Sequence, residues 1–275
     1  MGWVYGTDKM WGDKCCPGHW SDGAQRCISC RRFIPRNERF LVLDAGRKAC
    51  CRCFETLVVT HQDAQPVYQN VRRFFASQGM QLRQPPPVYV LDSSNMAGRS
   101  GDALRRCGVW SGVAAGLFQP VGVPTIRTVQ YVQQTPHGPR VVYQHQQLGP
   151  QVVQARAIFL RYGMSRLQAG SVLAHEHMHA CLQVGTRADQ PLPIWMEEGM
   201  CQLAAYLYLE DLLDRGSLSQ PGRTLCKVLM EGLRDETNPV YGGGFRAAHR
   251  AWTGMQWRGL SHMVAYMRQH GRFPT

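Results

Sequence analysis

Apolar positions change their spacing several times along the chain, and each change marks an element. From Asp63 to about Met80, Val67, Val71, Phe74 and Phe75 recur at helical intervals, which predicts an amphipathic helix with Asp63 as its N-cap. Pro85-Pro86-Pro87 ends that pattern, and Val88-Tyr89-Val90-Leu91 follows as a strand. Residues 92–108 are polar and glycine-rich and read as a loop. Runs of β-prone residues over 125–132, 140–143 and 156–162 predict strands, and Arg39–Leu43 with an Asp44-Ala45-Gly46 turn predicts a short hairpin strand. Ser165 is placed to cap a helix from about Arg166 to Val184, on which Ala174, Met178, Cys181 and Leu182 form one apolar stripe. Helical patterns over 196–214 and about 246–269 complete the second half, and no internal repeat is present. Strands therefore come before the main helices, which is an α+β order.

The helix capped by Ser165 carries chemistry beside its apolar stripe. His175, Glu176 and His179 spell HExxH, and positions i and i+4 share a helix face, so both imidazoles can hold one metal ion. With eighteen residues intervening, Glu198 follows in Ile194-Trp195-Met196-Glu197-Glu198-Gly199. It would add an oxygen ligand from a second helix, with Glu197 as the alternative if that helix is rotated. Two histidines, one glutamate and an open position make a catalytic rather than a structural zinc site. The expected reaction is attack of a zinc-bound water on a peptide carbonyl, with Glu176 as general base. A further donor is needed for the oxyanion. Tyr241, in a glycine-rich turn, is the first candidate and His249 the second, while a turn or core role for Tyr241 is equally consistent with its setting. Gln202, four residues after Glu198, is expected to orient a ligand, and His177 to point away from the metal.

Composition bounds the rest. The chain has 275 residues, 44% hydrophobic and 18% charged, enough for one large domain and a small module. It contains no run of eighteen apolar residues, and its first residues lack the pattern of a secretory signal. Net charge is +12, but the basic residues are scattered in short pairs, which suits a diffuse basic surface better than specific nucleic-acid recognition. Seven of the eleven cysteines fall before residue 54, an odd total with paired spacing. That favours metal binding in a reducing compartment, cytoplasmic with the nucleus as the alternative, over disulfides. Cys27-Ile-Ser-Cys30 and Cys50-Cys-Arg-Cys53 have structural-zinc spacing. Cys16-Pro17-Gly18-His19 is half of another four-ligand site whose partner pair should precede it. That site is expected to be truncated, empty or irregular, and the chain a shortened piece of a longer protein. The expected division is a zinc module over 1–60 and a peptidase domain over 61–275.

These residues carry a family resemblance. HExxH followed by the spaced glutamate resembles the gluzincin metallopeptidases, and Trp195-Met196-Glu197-Glu198-Gly199 is similar to the glutamate motif of the aminopeptidase N group. A longer match runs from about residue 16 to the end. It includes Cys16-Pro-x-His19, Asp22-Gly23 before Cys27-x-x-Cys30, Leu43-Asp44-x-Gly46-Arg47-Lys48 before Cys50, and Gly170-Ser171-x-Leu173-Ala174-His175-Glu176-x-Met178-His179-Ala180. Glu197-Glu198-Gly199-x-Cys201-Gln202, Tyr241-Gly242-x-Gly244-Phe245-Arg246 and Gly271-Arg272-Phe273-Pro274 extend it. In these the chain resembles the plant DA-one peptidase family. The resemblance implies a zincin-like, gluzincin-type metallopeptidase domain behind a small LIM-like zinc-ribbon or knuckle module. It implies ubiquitin-activated endopeptidase activity on growth regulators, with protein substrates and ubiquitin or ubiquitinated proteins as partners. It assigns His175, His179 and Glu198 as zinc ligands and Glu176 as the catalytic glutamate. Position 181 is Cys where relatives tend to have tryptophan, and a catalytic role for Cys181 is not expected. The ubiquitin-interacting helices and complete LIM domain of the family are not in this sequence. A second reading is a LIM-type adaptor on a peptidase-like fold without turnover. A third, nucleic-acid binding by a basic zinc protein, lacks any matching motif.

Overall fold

The structure is a computed structural model that describes residues 6–7, 11–20, 24–35, 37–107, 114–123, 126–135, 138–147, 151–255 and 257–274. Its N-terminal part is built from short pieces. β1 (Gly6–Thr7) pairs with β2 (Lys14–Cys15), and β3 (Phe40–Val42) with β4 (Lys48–Cys50), both antiparallel. A tight 3-10 turn over Asp44–Gly46 closes the second hairpin, with Ala45 and Gly46 both at positive φ. One turn of helix, α1 (Cys51–Phe54), and β5 (Leu57–Val58) follow.

The larger part begins with α2 (His61–Ser77), which leads through β6 (Val88–Leu91) and α3 (Ser93–Arg106) to β7 (Gly116–Val123). A long hairpin, β8 (Ile126–Thr135) and β9 (Gly138–Gln147), precedes β10 (Val152–Arg161) and β11 (Met164–Ser165). Five helices and one π-turn complete the described part of the chain. They are α4 (Arg166–Gln183), α5 (Ile194–Asp214), α6 (Gln220–Arg234), the π-turn Pro239–Gly243, α7 (Gly244–Gly254) and α8 (Leu260–His270). β10 is the middle strand of a three-stranded sheet, parallel to β6 and antiparallel to β7, which leaves β7 on an edge. Ile158 and Leu160 of β10 are fully buried against the helical layer, where Phe74, Leu173, Met178, Met200 and Leu203 meet. The architecture is mixed helix and strand, with its cysteine-rich part at the N-terminal end.

Three expectations are corrected. α2 is capped by Thr60 and not by Asp63. The Thr60 hydroxyl accepts from the Asp63 amide at 3.1 Å and the Asp63 carboxylate accepts from the Thr60 amide at 2.9 Å, so Asp63 is the N3 member of a capping box. Residues 92–108 are mostly helix. Asp92 caps α3 by accepting from the Asn95 amide at 2.8 Å, and only Met96 and its neighbours Ser93 and Ser100 are buried, which leaves no apolar stripe to read. The pattern over 246–269 is two helices, because Gly259, at φ 139°, turns the chain against the carbonyl of Gln78. α6, which received no expectation, packs its Leu225 against the cysteine-rich part.

The cysteine-rich part grips the segment that launches α4. β5 pairs antiparallel with β11, the Gly163 amide donates to Val58 O at 2.8 Å, and the Arg166 amide donates to Thr56 O at 2.8 Å. Arg47 donates to Tyr162 O at 2.9 Å and pairs with Asp44, which also accepts from the Ser93 amide. The Asp44 amide in turn donates to the Tyr162 hydroxyl at 3.1 Å. Gly163 has φ 85°, and a Cβ there would sit 2.5 Å from Leu43 Cδ1. Gly163→Ala is therefore expected to lower unfolding free energy by about 1–3 kcal/mol, from both the positive φ and the overpacking, as measured by denaturant titration.

Candidate active site and metal centres

Ser165, whose hydroxyl accepts from the Gln168 amide at 3.3 Å, starts α4 where expected. One turn apart on that helix, His175 and His179 bring their Nε2 atoms to 3.2 Å. Glu198 arrives from the second turn of α5. Its Oε2 lies 3.1 Å from His175 Nε2 and 3.5 Å from His179 Nε2, is buried, and among the described residues has no partner in hydrogen-bond geometry. Close approach of two backbones sets that position. A Cβ on Gly199 would meet Gly244 O at 2.5 Å, and one on Gly244 would meet Trp195 O at 2.2 Å. Only a glycine pair lets α5 and α7 touch this closely beside Glu198.

The spacing of these three atoms can be tested against a metal. Zinc bound tetrahedrally to nitrogen and oxygen at about 2.1 Å places its ligands about 3.4 Å apart. The observed edges of 3.2, 3.1 and 3.5 Å fit that geometry. Cys201 Sγ also lies within 4.8 Å of the histidine donors, so a set of His175, His179 and Cys201 is an alternative. Glu198 is the better third donor, because its distances already match a coordination edge and its Oε2 is otherwise orphaned. Burial works against the charge of the Glu198 carboxyl, but the neighbouring His179 and His175 outweigh it and hold the group well below the usual carboxylate range.

Glu197 does not turn toward the donor triangle. Its Oε1 meets His179 Nδ1 at 2.7 Å and also accepts from Gln183 Nε2. This is the carboxylate–histidine arrangement that orients metal ligands. Glu197, braced by Gln183, orients His179. His177 points away, as expected, and is buried. Its Nδ1 shares a 2.9 Å hydrogen bond with the Tyr68 hydroxyl, and its ring packs edge-on against Phe75.

Glu176 is buried beside the triangle and tied to the sheet. Its Oε2 accepts from the Phe118 amide of β7 at 2.7 Å. Burial raises its carboxyl above the usual range. Gly116, two residues earlier on β7, leaves the space that Glu176 occupies: a Cβ there would lie 2.7 Å from Glu176 Oε1 and 2.5 Å from Val172 Cγ1. A cleft of about 290 Å³ opens over this floor, lined by Leu117, Phe118 and Pro120 on one side and Leu192 and Ile194 on the other.

Tyr241 sits at the same floor. Asn238 accepts from the amides of Val240 and Tyr241 at 2.8 and 3.1 Å, which shapes the π-turn, and the Tyr241 ring lies 6.4 Å from that of His175. Cys107 bridges the two parts of the floor, with Sγ 3.4 Å from Glu198 Oε1 and its carbonyl accepting from Asn238 Nδ2 at 3.1 Å. The Tyr241 hydroxyl is raised above its usual range, chiefly by burial and then by Glu198. His249 is placed elsewhere. Its ring contacts are Tyr206 at 5.2 Å and Phe245 at 5.4 Å, and Tyr206 is about 12 Å along α5 from Glu198 at helical rise.

The cysteine cluster forms a second donor set. Cys27, Cys30, Cys50 and Cys53 are all buried and mutually within ligand range. Cys30 and Cys50 Sγ are 3.8 Å apart, which matches the edge of about 3.8 Å set by Zn–S bonds of about 2.3 Å in a tetrahedron. Hydrogen bonding from Cys30, then Cys50 and Cys53, drives Cys27 toward the thiolate, while the same cluster raises Cys30 and Cys53. Four thiols contending for protons in one buried volume suit a cation. Cys16 is half-buried and free, and the side chain of His19, like Asp22 and Gly23, lies outside the described residues.

Gly116, the Phe118 amide and Cys107 were not singled out in the sequence, and Cys201 appeared only as part of a resemblance motif. Only Cys201 carried a local signal, since it follows Glu198 by three residues on the same helix face.

The chain is 29% identical over 98% of its length to Protein DA1 of Arabidopsis thaliana, covering 53% of that protein. It is 27% identical over 98% of its length to LIM domain-containing protein HDR3 of Oryza sativa subsp. japonica, covering 58% of it. Protein DA1-related 2 of Arabidopsis thaliana is 29% identical over 98% of the chain and 55% of its own length. The chain thus spans about half the length of the curated relatives it matches. No solved structure matches. A family model described as DA1-like, Protein DA1, matches residues 80–220, more than half of the chain and the span that holds His175, His179 and Glu198, and the chain therefore belongs to the DA1-like family.

Proposed function

We propose that the chain is a zinc-dependent endopeptidase acting on protein substrates, with a zincin-like catalytic domain over 61–275 and a LIM-like zinc module over 1–60. The observation that supports this most is the orphaned, buried Glu198 Oε2, which completes a zinc-sized donor triangle with His175 and His179 beside Glu176. A zinc ion held by these three residues would polarise the scissile carbonyl and acidify a water. Glu176 takes the proton of the attacking water and returns it to the leaving amine. Its buried setting raises its proton affinity, which suits a base that must also act as an acid. Tyr241 keeps its proton at neutral pH and donates to the developing oxyanion. His249, packed on Tyr206 and Phe245, serves no step in this reading.

Cys27, Cys30, Cys50 and Cys53 hold a structural zinc. The family resemblance adds a ubiquitin-linked role in growth control, with ubiquitin or ubiquitinated proteins as partners and a cytoplasmic or nuclear site of action. No helix among the described residues is long and apolar enough to cross a membrane.

Glu197 orients His179, so Glu197→Ala is expected to weaken zinc binding at the catalytic site by about 10–100-fold, read by competition with a fluorescent chelator. The proposal itself is tested by incubating the zinc-loaded chain with an unmodified protein and its ubiquitin-linked form and mapping new N-termini by mass spectrometry. Cleavage that stops on chelation and returns with zinc supports it. Intact substrates in both forms, with both metal sites filled, would overturn it.

A further inference from the structure

A roomy cavity among the described residues has no part in the proposed reaction. It measures about 690 Å³ and lies where the cysteine-rich part meets the N-terminal ends of α4 and α6. The volume falls within the range of small-molecule sites and exceeds the catalytic cleft. Its walls are mostly apolar, with Trp11, Leu167, Leu218 and Leu225 among them. Among the described residues its charged wall residues are Arg32, Arg52 and Arg166, with no Asp or Glu.

The three cations differ in their partners. Arg32 is paired with Asp13 at 2.6 Å and stacked over the Trp11 ring at 4.5 Å. Arg52 and Arg166 are exposed and form no salt bridge with a described residue; Asp63, outside the wall, feels Arg166 only weakly. The first turns of α4 and α6 add positive potential to the same wall, through Ser165–Leu167 and Ser219–Gly222. An apolar pocket whose charges among the described wall residues are all cationic, two of them without a salt bridge to a described residue, favours a ligand with an apolar body and one negative end.

We propose that this cavity binds a small amphipathic anion, with its carboxylate or phosphate between Arg52, Arg166 and the two helix ends and its apolar body against Trp11, Leu167 and Leu225. This site is independent of the peptidase reading. A neutral molecule of the same body lacks the ionic contact, and a cation meets repulsion.

The test is titration calorimetry of the zinc-loaded full chain with decanoate, decyl phosphate and decanol, each kept below its aggregation concentration. The expected result is one saturable site for an anion, with decanol weaker by about tenfold or more. The tighter of the two anions identifies the headgroup. Two variants separate the cavity from surface adsorption. The double charge reversal Arg52→Glu, Arg166→Glu is expected to weaken binding by about tenfold or more. Gly222→Trp fills the cavity from its wall and is expected to abolish binding. A Cβ at Gly222 meets nothing closer than Ser219 Oγ at 3.4 Å, so the backbone accepts it. Unchanged zinc content and circular dichroism show that the variants fold. Absence of saturable heat with both anions, or equal affinity in wild type and both variants, overturns the proposal.

Discussion

Glu176→Gln is expected to cut the rate of peptide hydrolysis by about 10²–10⁴-fold, the range for loss of a positioned general base, while both metals stay bound. Glutamine has nearly the same shape as glutamate, and its amide oxygen can still accept from the Phe118 amide that holds Glu176 Oε2 at 2.7 Å. The space left by Gly116 is filled as before. What changes is the ability to take up a proton. The loss should appear in kcat with little change in KM, because the cleft walls formed by Leu117, Leu192 and Ile194 are untouched. Zinc content measured beside the kinetics separates this outcome from loss of the metal. A variant that keeps wild-type turnover would remove Glu176 from the mechanism and leave the metal assignment standing.

The second large effect is expected at the cysteine cluster. Cys27→Ser should release one metal equivalent and unfold the segment from about residue 24 to 58. Cys27 is fully buried, and its Sγ also accepts from the Cys50 amide at 3.3 Å. So small a segment has little core of its own: besides the cysteines, Leu43, Ala49 and Leu57 are buried and pack with Leu225 of α6, while Val58 is buried in the main core. Structural zinc supplies on the order of 10 kcal/mol of binding free energy in small modules, so its loss exceeds what this core can offset. The effect should reach the active site. β5 pairs with β11, and Arg47 and Asp44 hold Tyr162, so the start of α4 loses its external hydrogen bonds when the segment melts. Hydrogen exchange should rise first over 24–58 and then over 162–166. Unchanged exchange in both segments after Cys27→Ser would show that the cluster contributes no folding energy.

The sequence revealed what local rules govern. α4, capped by Ser165, runs from Arg166 to Gln183, within a residue of its expected span, because a strong cap and a long apolar stripe fix its course. His175 and His179 are brought together by helical spacing alone. α3 escaped because Gly98, Gly101 and its polar residues offer no stripe, and the helix is held by one cap and one buried Met96. The setting of Glu198 was legible as a distance along the chain. Its depth depends on Gly199 touching Gly244, a contact 45 residues apart in sequence (244 − 199), which no local pattern encodes. Glu197 and Glu198 are adjacent and chemically alike, so which of them turns to the donor triangle depends on the rotation of α5, and that is set by packing. Gly116, Phe118 and Cys107 reach the site from the edge strand and the end of α3 by long-range contacts. His249 looked eligible by residue type, yet its ring is committed to Tyr206 and Phe245.

Anomalous diffraction at the zinc edge, on crystals of the zinc-loaded chain, tests the central claim most directly. The account predicts one peak within about 2.0–2.2 Å of His175 Nε2, His179 Nε2 and Glu198 Oε2, with a fourth position open toward the cleft, and a second peak among four sulfurs at about 2.3 Å. A peak ligated by Cys201 with Glu198 standing off, or no peak at the histidine pair, would contradict it.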